Sequence, residues 1–293
     1  MLRNLRSFQA LKRCKSTSAA PRVQVKDEKA TPIVAVDSSL VTVERREGYA
    51  VVRMNRAPVN SLNLEMFKAL EKTVADLEKD KAIKGLILAS TNPKVFSAGL
   101  DIMEMYQPKT HRLREFWAAF QEFYLRFYTT PLATVAAIEG HAPAGGCFLA
   151  MCCDARVMAT GKPVIGLNET KLGIVAPFWM KDVMQNTIGH RETEKMLGLG
   201  LQVDALTAKK IGLVDEAVEV EQVFPLAEKM LQEWLAIPGH ARKATKHLMR
   251  NETAERLRRD LKGDTDHFVD FAETDRVQNA LGAYIAALKK PKA

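Results

Sequence analysis

Two short glycine-containing loops are where this sequence could do chemistry. The first is Val95-Phe96-Ser97-Ala98-Gly99-Leu100-Asp101 and the second is Gly140-His141-Ala142-Pro143-Ala144-Gly145-Gly146. Each follows an apolar, strand-like run and opens a segment with helical spacing. A strand-to-helix turn leaves backbone N–H groups free at the helix start, where the helix dipole also favours negative charge. Small residues let a ligand approach that backbone closely. Two such turns brought together would supply paired donors for an oxyanion. Taken singly, either is an ordinary tight turn. Neither carries the G-x-G-x-x-G of a dinucleotide site or the Gly-Lys-Ser/Thr ending of a phosphate loop.

Other reactive groups near the loops point to less. Ser97 lacks the Gly-x-Ser-x-Gly elbow and His141 has no nucleophilic serine motif beside it, so serine hydrolysis is not expected. Asp101 is placed to cap the helix after the first loop, Glu139 to end a strand, and Asp154 to end a helix or start a strand. Glu104, one turn into its helix, could face a pocket. Cys14, Cys147, Cys152 and Cys153 lack zinc-ligand spacing, and the last three lie in an apolar run where Cys behaves as a small buried hydrophobe. Neither a metal nor a redox centre is expected.

The elements that must position these loops read as an α/β core. Val41–Glu44 and Tyr49–Met54 are strand-like around Arg45-Arg46-Glu47-Gly48, a hairpin signal. Asn63 can cap a helix whose Phe67, Leu70, Val74 and Leu77 make one apolar stripe. A buried strand at Lys84–Ser90 precedes the first loop, and a helix over Leu113–Tyr128 follows it. Thr134–Ile138 precedes the second loop, then come a compact apolar helix and a strand at Ala155–Ala159. From Pro177 onward the pattern is mostly helical, with one strand candidate at Leu213–Val220. Amphipathic helices are expected over Val223–Leu235, His240–Arg250 and Asp266–Leu288. The stripe Phe268, Phe271, Leu281, Tyr284, Ile285 and Leu288 on the last of these reads as core or as a subunit contact.

The 293 residues carry a formal net charge of +8. Residues 1–20 hold Arg3, Arg6, Lys12, Arg13 and Lys15 without an acid, so without them the excess falls to +3. Leu2, Leu5, Phe8 and Leu11 recur at helical spacing among those bases, and Ser16, Thr17 and Ser18 follow. Such a start reads as a cleaved mitochondrial transit peptide, and Lys290–Ala293 is not a peroxisomal Ser-Lys-Leu tail. The modest remaining charge gives no footprint for nucleic acid. The uncharged runs Phe127–Ile138 and Gly140–Cys153 are too short to span a membrane.

Three ordered segments resemble the crotonase (enoyl-CoA hydratase/isomerase) superfamily. Phe96-Ser97-Ala98-Gly99-Leu100-Asp101 is similar to its first oxyanion motif. Ala144-Gly145-Gly146-Cys147-Phe148-Leu149-Ala150, with Cys153-Asp154, is similar to its second. Gly166-Leu167-Asn168-Glu169-Thr170-Lys171-Leu172-Gly173 resembles its third catalytic segment. The resemblance implies a spiral of strand–strand–helix repeats over 41–220, forming two roughly perpendicular sheets, and a helical C-terminal region over 221–293 for CoA-side and oligomer contacts. It leaves 1–20 as transit peptide and 21–40 as linker.

The resemblance also implies roles. The N–H groups of Ala98 and Gly145 would hold a thioester oxygen as it becomes an enolate. Segment Ser97–Asp101 and Asn168 would line the acyl-CoA path, and Glu169 would be the base. Hydratases of the family carry a second glutamate where this sequence has Phe148, which cannot exchange a proton. One carboxylate suits isomerisation of a 3-enoyl thioester to its 2-enoyl form, a 1,3-proton shift in β-oxidation of unsaturated fatty acids in the mitochondrial matrix. The alternatives are a 2-enoyl-CoA hydratase and a non-catalytic acyl-CoA- or RNA-binding member. The implied assembly is a homotrimer, and no cofactor is implied beyond the CoA carried by the substrate.

Overall fold

Strands β1 (Val41–Arg46) and β2 (Tyr49–Met54) form an antiparallel hairpin with Arg46 opposite Tyr49, turning at Glu47-Gly48. Gly48 takes φ +79°, a conformation that favours glycine. β1 runs two residues longer than the sequence suggests and the turn is correspondingly tighter, while β2 has the expected bounds. This is a computed structural model, and it describes residues 40–289. The transit-peptide and linker readings of 1–39 fall outside the described residues.

Helix α1 (Leu64–Lys79) starts where expected, because the Asn63 carboxamide oxygen accepts the Met66 N–H at 3.0 Å. Strand β3 (Gly85–Ser90) leads through the first loop to α2 (Thr110–Thr129), and β4 (Ala133–Ile138) leads to the second loop. That loop contains the short β5 (Ala142–Pro143) and ends at α3 (Gly145–Cys152). Strands β6 (Ala155–Ala159) and β7 (Val164–Gly166) follow. Helices α4 (Phe178–Ile188) and α5 (His190–Gly198), strand β8 (Val203–Asp204), helix α6 (Ala205–Lys210) and strand β9 (Glu216–Val218) complete this part. Four helices close the chain: α7 (Val220–Ala236), α8 (Gly239–Arg258), α9 (Leu261–Ala272) and α10 (Asp275–Lys289).

The strands make two sheets. The larger has the order β1-β2-β3-β4-β6-β9 and is parallel beyond the hairpin, while β5-β7-β8 form a small second sheet. Parallel central strands must be covered on both faces. Val51, Ile87, Val135 and Val157 pack against Val223, Ala227 and Leu231 of α7. Val52, Leu86, Leu88 and Ala136 face the main core, which holds the aromatic stripe of α2. β3 and β4 therefore run through the middle of the larger sheet, and the loops that leave their C-terminal ends emerge side by side. The short β5, β7 and β8 escaped the sequence reading, because strands of two or three residues show no periodicity.

The single helix expected over Asp266–Leu288 is two helices. The break at Glu273-Thr274 carries neither glycine nor proline, the residues that ordinarily mark a helix end. Long-range hydrogen bonds make the break. Gln278 Nε2 donates to the Ala272 carbonyl at 2.7 Å and to the Met105 carbonyl at 2.9 Å, and the Gln107 N–H donates to Gln278 Oε1 at 2.7 Å. One side chain thus ties off α9 and pins α10 to the chain after the first loop. Helix α8 is held from below by charge. Lys246 Nζ lies 2.6 Å and Arg250 Nη2 3.0 Å from the buried carboxylate of Asp154.

Candidate active site

An isolated parallel bridge joins the first loop to the segment before α1. The Leu62 N–H donates to the Gly99 carbonyl at 2.8 Å, and the Asp101 N–H donates to the Leu62 carbonyl at 2.9 Å. Alternation along extended backbone turns the intervening Leu100 N–H to the other side, where it has no partner among the described residues. The Ala98 N–H, by contrast, donates to the Val59 carbonyl at 2.9 Å. The expectation that Ala98 supplies an oxyanion donor is therefore corrected: its N–H is already taken, and Leu100 presents the free one.

A second backbone N–H without a partner among the described residues is that of Gly145. It is the first residue of α3, so its N–H has no intrahelical acceptor. A Cβ on Gly145 would lie 3.2 Å from the Leu100 nitrogen, so the two loops pack backbone against backbone at these residues. Gly99 makes this approach possible. Its φ is +89°, and a Cβ there would meet Ala144 Cβ at 2.8 Å and the Gly145 nitrogen at 2.9 Å. Ala144 itself sits at φ +47°, held by donation of its N–H to the Gly166 carbonyl at 2.8 Å. Strained backbone of this kind costs on the order of 1–3 kcal/mol and persists where surrounding contacts hold it.

The other residues of the first loop brace it. The buried Ser97 hydroxyl donates to the Asn60 carbonyl at 2.8 Å and accepts the Gly99 N–H at 3.2 Å, which corrects its assignment to the substrate path. Asp101 caps the following 3-10 turn through the Met103 N–H at 3.0 Å and pairs with Arg56 at 2.8 Å. Its carboxylate serves the loop as well. Glu104 accepts the Leu64 N–H at 3.1 Å and is clamped by Arg112 at 2.7 Å, so it is structural. His141 Nδ1 accepts the Val164 N–H at 3.2 Å and ties the second loop to β7.

Glu169 opens a 3-10 turn, Glu169–Leu172, shortly after β7. It is only 9% exposed, and its Oε2 is buried with no hydrogen-bond partner among the described residues. Burial pushes its carboxyl up to about 7. The neighbouring Asn168 also has a buried, unpartnered Oδ1. An apolar cavity adjoins Glu169, and Leu100 lines it too. The first loop and the carboxyl thus meet in one place. Its far walls are Phe271, Val277 and Leu281 from α9 and α10. Sequence reasoning had placed Phe271 and Leu281 in a core or subunit stripe. Only the break between the two helices turns both toward this cavity.

Phe148 does not line that cavity. Its ring is fully buried against Phe120, Tyr124 and Trp179, with centroids 5.3–5.7 Å away. A carboxylate at this position would have to lie among those rings. Glu139 is half-buried at the end of β4, and burial raises its carboxyl. Cys147, Cys152 and Cys153 are buried free thiols. Among the described residues, no cluster of His, Cys, Asp or Glu could hold a metal ion, and no helix is long and apolar enough to cross a membrane.

A carboxyl poised near neutrality beside an apolar cavity, with unpaired backbone N–H groups on the adjoining loops, has the chemistry to take a proton next to a carbonyl while stabilising the enolate oxygen. The sequence matches the enoyl-CoA hydratase/isomerase family over residues 44–291. The chain belongs to that family. Among its relatives, mouse mitochondrial enoyl-CoA delta isomerase 1 is 47% identical over 86% of this chain and 88% of its own length. The human protein of the same name is 45% identical, covering 86% and 84%. Human mitochondrial methylglutaconyl-CoA hydratase is 32% identical over 61% of this chain and 53% of its own. The crystal structure of human mitochondrial delta3-delta2-enoyl-CoA isomerase superposes with a TM-score of 0.85 at 45% identity, over 87% of this chain and all of that one. The two-sheet core and helical C-terminal region are those of this family.

Proposed function

We propose that this protein is a Δ3,Δ2-enoyl-CoA isomerase, converting 3-enoyl-CoA to trans-2-enoyl-CoA in β-oxidation of unsaturated fatty acids. The observation that carries the reading is the buried, unpartnered Oε2 of Glu169 beside the cavity that Leu100 also lines. The thioester oxygen sits between the N–H groups of Leu100 and Gly145. Glu169, ionised on substrate entry, removes a proton from C2. The negative charge moves onto the thioester oxygen, where each donor contributes about 3 kcal/mol. Glu169 then returns the proton at C4, so one carboxyl serves as base and then as acid. No second carboxyl is needed, and none of Glu104, Asp101 or Asp154 is free to act. The mechanism calls for no cofactor, since CoA enters as part of the substrate.

Asn168 completes the substrate side, its buried Oδ1 offering an acceptor beside Glu169. The mouse and human relatives are mitochondrial by name. With the acid-free basic segment 1–20, this supports a matrix enzyme with a cleaved transit peptide. The division into a core over 41–220 and a helical region over 221–293, and assembly as a homotrimer, belong to the same reading.

The test is to offer the purified protein a 3-enoyl-CoA and, separately, a 2-enoyl-CoA. Formation of the conjugated thioester from the first, with the second left unhydrated, is the expected result. Release of a 3-hydroxyacyl product from the second would overturn it in favour of hydration.

A further inference from the structure

The cavity beside Glu169 measures about 30 Å³, far below the roughly 300–1,000 Å³ of small-molecule sites. A neighbouring chamber measures about 450 Å³. Trp117, Val175, Pro177, Phe268 and Phe271 line both. Within this shared wall, Phe268 lies face to face with Trp117, the ring centroids 3.5 Å apart and the planes 8° from parallel.

The two rings differ in freedom. Trp117 is 1% exposed. Its indole N–H donates to Asp264 Oδ2 at 2.8 Å, and the same oxygen accepts Gln121 Nε2 at 2.7 Å and the Trp179 indole N–H at 3.3 Å. Three donors from α2 and α4 on one carboxylate oxygen fix the indole and anchor α9. Phe268 stands one turn beyond Asp264 on the same helix face. It is half-buried and stands in the wall that the two cavities share.

We propose that Phe268 is the chain-length gate of the acyl site. Stacked on Trp117, it separates the small cavity beside Glu169 from the larger chamber and so disfavours long acyl groups. Swung off the indole, it joins that cavity to the larger chamber and admits long acyl thioesters. The magnitudes allow it. Losing one aromatic stack costs about two- to tenfold in equilibrium, whereas each further buried methylene contributes about fourfold. Three methylenes entering the chamber therefore outweigh the opened stack. The inference rests on the acyl-CoA reading above and adds to it the residue that selects among acyl groups.

The experiment compares wild type, Phe268→Ala and Phe268→Tyr with 3-hexenoyl-CoA and 3-dodecenoyl-CoA. Calorimetry with hexanoyl-CoA and dodecanoyl-CoA reads the same preference without turnover. Removing the ring should raise the long-to-short ratio of kcat/KM, and of affinity, by about tenfold. Phe268→Tyr keeps the stack and should hold the ratio within about twofold of wild type. Should Phe268→Ala lose its fold, Phe268→Leu takes its place, keeping bulk without the stack. Turnover with neither ratio moved would overturn the gate and leave the isomerase reading intact. A shifted affinity ratio without turnover in any form would overturn the reaction and leave the gate. Equal shifts in the Ala and Tyr variants would also overturn the gate.

Discussion

Gly145 sits so close to Leu100 that a Cβ on it would lie 3.2 Å from the Leu100 nitrogen, and 3.1 Å from a methyl of Leu62. The proposed mechanism has the N–H groups of these two residues hold the thioester oxygen. Gly145 occupies ordinary helical backbone, so alanine is compatible with its conformation. Gly145→Ala should keep the fold, shifting Tm by a few degrees at most, while kcat falls by about 10²–10³-fold as one donor is blocked. Steady-state kinetics beside a thermal melt would check this. Unchanged kcat would remove the second loop from the chemistry.

The Glu169 carboxyl makes a prediction about pH. Burial raises it from the ordinary 4.5 to about 7, so kcat/KM in the free enzyme should fall below about pH 7 as the base becomes protonated. Stability should move in the opposite sense. Between these two values the folded chain keeps a proton that the unfolded chain has released, so stability declines as pH rises through that window. The full effect, about 3 kcal/mol, is present above pH 7 and absent below pH 4.5. Glu169→Gln should therefore be more stable than wild type at pH 8 and no more stable at pH 4. Denaturant melts at the two pH values measure it.

Gln278 holds α10 over the cavity through the Met105 carbonyl and the Gln107 N–H. Gln278→Ala removes three hydrogen bonds and should cost about 1–3 kcal/mol, felt mainly in α10. Hydrogen exchange should accelerate over 275–289 and around 105–107, with the sheet unaffected. KM should rise more than kcat falls, because the wall contributed by Val277 and Leu281 loosens.

The buried pair of Lys246 and Asp154 should matter only to stability. Both side chains are at most 5% exposed, and Lys246→Met leaves Asp154 with Arg250 as its remaining cation. A loss of about 1–3 kcal/mol is expected, since the buried carboxylate loses one of its two cations and one charge-assisted hydrogen bond while Arg250 remains. Folded variant protein should keep wild-type kcat. A large fall in kcat without destabilisation would place this pair in the site after all.

Much of this was legible before any coordinates. The Asn63 cap, the strands at both loop entries, Gly145 and Glu169 all rest on local signals: a capping residue, an apolar run, a glycine opening a helix, a family motif. What could not be read depended on partners distant in sequence. Ala98 and Leu100 are equivalent in the motif, and only Val59 and Leu62, more than thirty residues earlier, decide which N–H stays free. Ser97 was assigned to substrate for the same reason, its partner being the Asn60 carbonyl. The break after α9 depends on a glutamine reaching a loop 171 residues away. Periodicity carries no trace of such contacts.

The account turns on Glu169 as the one proton carrier. The most direct measurement is conversion of 3-hexenoyl-CoA to its conjugated 2-enoyl isomer by wild type and by Glu169→Gln, each shown to be folded at the assay pH. Wild type should convert it rapidly and the variant at least about 10³-fold more slowly, in keeping with removal of a general base. Conversion that survives the substitution, or a folded wild type that leaves the 3-enoyl thioester unchanged, would contradict that role for Glu169.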